Sequence, residues 1–120
     1  MGYIKHNAAI ITSTREGDIK LAHAKAKELY TEGEMAQLVG EIIPGLANGQ
    51  YSFFIAPDGS KEGWDHSDTS DVYRNKYLDW LFQERVERIR VDYVDVRFGG
   101  DAEGGDYVSR SWHMDLDRVE

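Results

Sequence analysis

Cysteine is absent from this chain, which excludes disulfides, thiolate zinc sites and a cysteine nucleophile at a stroke. Proline is almost as scarce, with two in 120 residues, so neither a proline-rich linker nor a low-complexity spacer divides the chain. Positive charge is also in short supply. Fourteen Lys and Arg stand against 22 Asp and Glu, a formal net charge of −8 with a pI near 4.9, and phosphate-backbone binding needs the opposite balance to displace condensed counterions. Nucleic acid is therefore not an expected partner. No apolar run is long enough to span a bilayer and no signal peptide is recognisable, which makes the cytosol the expected compartment and a membrane an unexpected partner.

What is present is one domain's worth of chain, 41% hydrophobic and 30% charged, enough to bury a modest core. Tyr3 to Ser13 is rich in β-branched and alternating residues and predicts a first strand. From Asp18 the period changes to 3.6, with Ile19, Ala22, Ala26, Leu29 and Tyr30 on one helical face, and Gly33 is the expected stop. Gln37 to Ile43 predicts a second strand, Pro44-Gly45 and Asn48-Gly49 a turn, and Gln50 to Ala56 a third strand. A polar stretch without periodicity, Ala56 to Thr69, precedes a helix capped by Asp68 or Ser70, whose apolar stripe is Tyr73, Tyr77, Trp80 and Leu81. Ile89 to Phe98 alternates Val94, Val96 and Phe98 against Tyr93, Asp95 and Arg97, and Tyr107 to Met114 predicts a last strand after the turn Gly99 to Asp106.

Strand, helix, strand, strand, helix, strand predicts an α+β fold. The expected form is a ferredoxin-like βαββαβ antiparallel sheet with both helices on one face and an extra C-terminal strand. Short connections and right-handed crossovers favour the order 2-3-1-4-5. One sheet face is then left open, with Ser52 and Phe54 or Tyr51 and Phe53 upon it, and a homo-oligomer is the expected way to cover it.

That order also gathers the chemistry. The start of the first strand lies beside the ends of the third and fourth, so Lys5, His6 and Asn7 are expected near Asp58, Ser60, Lys61, Trp64 and Arg97. Cations, an imidazole, an indole and a helix N-terminus at one edge suit an anionic, ring-containing molecule such as a nucleotide derivative. Lys5, His6, Lys61 and Arg97 would contact phosphate, Trp64 would stack on a base, and Asn7 or Asp58 would read ribose or base edges. Each has a plainer reading: His6 alternates with Ile4, Ala8 and Ile10 as a packing residue does, Asp58-Gly59 is a turn signature in its own right, and Trp64 suits core cover. Asp65, His66 and Asp68 match no zinc or calcium spacing, so neither a metal nor a cofactor is expected. Ser13 and Ser60 lack the glycine-flanked elbow and the His–Asp relay of a serine hydrolase.

Two strings, Tyr3-Ile4-Lys5-His6-Asn7-Ala8 with Thr12-Ser13, and Phe54-Ile55-Ala56-Pro57-Asp58-Gly59-Ser60-Lys61-Glu62-Gly63-Trp64, resemble a family of short, mostly uncharacterised bacteriophage proteins. The similarity runs in order from the first strand through the second helix and departs at Gly99 to Met114. It implies an anti-defence role, the sequestration without turnover of a nucleotide immune signal such as a cyclic ADP-ribose derivative. No catalytic residue follows from it. The rival expectations are an inhibitor whose acidic surface, including Asp101, Glu103, Asp106, Asp115 and Asp117, engages a basic host protein or mimics nucleic acid and, third, a nucleotide-processing enzyme using His6 as general acid or base.

Overall fold

The structure, a computed structural model of the chain, describes residues 6–31, 33–60, 64–84, 89–99 and 106–112. Five strands, β1 (His6–Ser13), β2 (Ile43–Pro44), β3 (Tyr51–Ile55), β4 (Asp92–Phe98) and β5 (Tyr107–Trp112), form one antiparallel sheet in the order β2-β3-β1-β4-β5. Two helices, α1 (Glu16–Leu29) and α2 (Asp65–Glu84), cross one face. Among the described residues no helix is long and apolar enough to cross a membrane.

Alternation along the strands sorts the side chains. Ala9 and Ile11 of β1, Phe53 and Ile55 of β3 and Tyr93 of β4 point to the helices. They meet Ile19, Ala22 and Ala26 of α1 and Tyr77, Leu78 and Leu81 of α2, all fully buried, as the 3.6-residue period of both helices requires. Tyr77 ties the helices together, because its buried hydroxyl donates to the Ala22 carbonyl oxygen at 2.6 Å. Tyr77→Phe removes one buried hydrogen bond and is expected to lower unfolding stability by about 1 kcal/mol, read from chemical denaturation with an unchanged slope.

Several boundaries differ from the sequence-based expectation, among them that of β4, which starts at Asp92 and not at Ile89. The first helix ends at Leu29, where Tyr30 caps it with its N–H on the Ala26 carbonyl at 2.9 Å and turns its ring into the core, short of Gly33. The stretch expected as the second strand begins instead as a 3₁₀ turn, Gly33–Leu38, because Met35, Leu38 and Val39 fall at helical spacing and pack on the core together. Pairing there is confined to a bridge from Val39 to Ile55 and to the two residues of β2. The second helix starts at Asp65, ahead of Asp68 and Ser70; Asp65 and Asp68 then lie in its first turn, where the helix dipole favours acids, and Ser70 is buried inside it.

The most informative arrangement is in β4. Its apolar set, Val94, Val96 and Phe98, lies on the open face beside Ala8 and Ile10 of β1, because the register pairs Ile10 with Val94 and Ala8 with Val96. The helix-facing side carries Tyr93 and Asp95, and Asp95 is only 3% exposed. Arg74 of α2, 6% exposed, answers it: its Nε lies 3.0 Å from the Asp95 carboxylate and its Nη2 donates to Asp71 at 2.6 Å. The Nε to Oδ1 approach is a charge contact without hydrogen-bond alignment. Burial outweighs the attraction of Arg74 and holds the Asp95 carboxyl above its usual range. Burial likewise raises the phenols of Tyr30 and Tyr77.

Candidate functional site

The residues expected to form one site fall into separate groups. His6 lies on the open face, its ring 5.3 Å from that of Phe98. Gly99, at φ +64°, leaves room for that imidazole, since a Cβ there would come within 3.0 Å of it. Asn7 and Arg97 are directly paired across β1 and β4 and belong to the opposite face, where Arg97 Nη1 donates to the Tyr107 hydroxyl at 3.3 Å. The sheet itself therefore stands between the imidazole and the guanidinium. Asp58 and Ser60 form their own turn, the Ser60 hydroxyl buried and donating to the Asp58 carboxylate at 2.5 Å, with Gly59 between them at φ +87°. Trp64 is 52% exposed immediately before α2, so it does not serve mainly as a core cover. Lys5 and Lys61 lie outside the described residues. Of the described residues, His6, Asn7 and Arg97 gather at one end of the sheet, as the strand order dictates, but on both of its faces.

The other end of the sheet holds a cleft of about 290 Å³ lined by Thr12, Ser13, Thr14, Arg15, Gln50, Arg90 and Asp92. It arises where β1 hands over to α1. Ser13 is the knot: its buried hydroxyl donates to the Arg90 carbonyl at 2.6 Å and accepts the Arg15 N–H at 3.0 Å. Asp18, in the first turn of α1, accepts the Arg90 N–H at 3.0 Å. These bonds clamp the segment before β4 against the start of α1 and hold Arg15 and Arg90 on one cleft. Arg15 is the N-cap of α1 and makes no side-chain capping bond, and the first turn of the helix carries two acids, Glu16 and Asp18, that offset its dipole.

Two arginines, two threonines, a serine and a glutamine line the cleft, with Asp92 as the one carboxylate-bearing residue among them. Guanidinium forks suit phosphate or carboxylate oxygens, and hydroxyls with a carboxylate suit ribose-like diols. Ser13 is committed to two structural bonds and is no nucleophile. Among the described residues no three His, Asp or Glu side chains are placed to hold a metal ion. The run Thr12-Ser13-Thr14-Arg15 between a strand and a helix is the local signal for this cleft in the sequence; Arg90 and Gln50 reach it only through the tertiary fold. No family model, curated protein or solved structure matches the chain.

Proposed function

We propose that this chain is a ferredoxin-like binding module that captures a small anionic ligand of nucleotide type without turnover, the role implied by its resemblance to short phage proteins. One observation carries the reading. In a protein of net charge −8, the cleft at the β1–α1 junction collects two arginines around about 290 Å³. Its size is at the small end of ligand pockets and suits one nucleoside phosphate moiety.

Calorimetric titration with AMP and with cyclic ADP-ribose tests it. Binding of either, weakened at least tenfold by Arg90→Glu with unchanged circular dichroism, is the expected result, because a phosphate would lose its charge-assisted partner. Heating the complex should return the nucleotide chemically unchanged. An altered product would replace capture by turnover, and sensitivity to Arg97→Glu with indifference at Arg90 would move the site to the opposite end of the sheet. No binding of either nucleotide or of inorganic phosphate would end the reading.

A further inference from the structure

We infer that the open face of the sheet is the interface with a second copy of this chain. The face is apolar by construction: Ile10, Ile43, Phe54, Phe98 and Val108 protrude from its five strands, each 38–61% exposed. Ile10 stands between two shallow grooves of about 310 and 260 Å³. These five side chains leave roughly 500 Å² of apolar surface in water, already near the top of what an ordinary monomer exposes in one patch. Partly exposed Thr12, Ser52, Pro57, Val94 and Val96 around them bring the face to the lower part of the range that each partner buries in a standard interface, roughly 600–1,000 Å².

Two further features suit burial of this face. Toward its Asp92 end, the hydroxyls Thr12 Oγ1 and Ser52 Oγ are hydrogen-bonded to each other at 2.9 Å, so each keeps a partner when the face is covered. The chain also turns Val94, Val96 and Phe98 outward while burying the Asp95 and Arg74 charges inside. That arrangement wastes apolar surface in a monomer and conserves it in a dimer. Charge selects the occupant. Between its ends, His6 at one and Asp92 at the other, the described part of this face carries no ionisable side chain. It offers a basic protein nothing to pair with, and it is a surface on which two chains of net charge −8 can meet without opposing charges of like sign. A twofold axis then matches the patch to itself.

Light scattering coupled to size exclusion at about 50 µM should give twice the 13.7 kDa chain mass. Phe54→Asp should give a folded monomer, its dissociation constant raised at least a hundredfold, while Leu21→Asp on the outer side of α1 stays dimeric. Should Phe54→Asp fail to fold, Val108→Asp on the edge strand takes its place. A wild-type monomer at that concentration, or a dimer that persists in a folded Phe54→Asp or Val108→Asp variant, overturns the inference.

Discussion

Arg74→Ala is expected to lower the stability of the fold by about 3–5 kcal/mol, the cost of leaving one member of a buried ion pair without its partner. Asp95 is 3% exposed and faces Arg74 across the α2–β4 contact; without the guanidinium its charge keeps only the weaker attraction of Arg110, its partner in the β4–β5 register. A domain of this kind has roughly 5–15 kcal/mol in total, so the variant should melt far below the wild type. The pH dependence identifies the cause. The Asp95 carboxyl is already raised by burial, with Arg74 opposing the rise, and removing Arg74 raises it further. A carboxyl with a folded pKa above its unfolded value favours folding when protonated. The variant should therefore recover stability as pH falls from 7 through that folded pKa, with the recovery complete below the ordinary aspartate range near 4. Urea midpoints at pH 7 and pH 5 measure this, and Arg74→Met with Asp95→Leu should restore much of the loss. Equal losses at both pH values would assign the effect to packing.

Phe53→Ala should cost a comparable 3–5 kcal/mol, whereas Phe54→Ala should cost the folded monomer no more than about 1 kcal/mol. The two phenylalanines are consecutive in β3 and face opposite ways. Phe53 is 1% exposed, opposite Ile11 in the register and edge-on to the His23 ring at 4.9 Å. His23 in turn donates from Nε2 to the Gly40 carbonyl at 2.9 Å, so the cavity left by Phe53 undermines the ring that ties α1 to the 39–40 segment. Phe54 is 46% exposed. Denaturant unfolding at low concentration separates the pair, and equal losses would contradict the assignment of the faces.

Much of this was legible before folding because local rules suffice for it. The 3.6 period from Ile19 to Leu29 and the Tyr73, Tyr77, Leu81 stripe each mark one buried helix face, and both are seen. Alternation in β1 and β3 placed their strands and their antiparallel neighbours. Where expectation failed or stayed open, a long-range partner decided. Alternation separates Val94, Val96 and Phe98 from Tyr93, Asp95 and Arg97 without choosing the inward set, and Arg74, 21 residues before Asp95, faces the side that is buried. Met35 and Val39 suit a strand or a turn equally, and core packing selects the turn. His6 and Arg97 were expected in one site, and it is the β1–β4 register, pairing His6 with Phe98 and Asn7 with Arg97, that separates them. The Arg15–Arg90 cleft was not legible either, since Arg90 is brought there by bonds to Ser13 and Asp18 more than 70 positions away.

The two margins of the sheet carry a consequence of their own. β2 is two residues long and ends in Pro44, which has no N–H to offer a ladder. β5 slips register between Asp95 and Val96, whose partners Arg110 and Val108 leave Ser109 unmatched, a bulge that twists the strand away from straight pairing. Strand addition at such borders is poorly templated, so growth of the sheet from molecule to molecule into fibrils is discouraged at both sides. Contact made through the proposed face and closed by a twofold axis would stop at two copies, without seeding open-ended polymer.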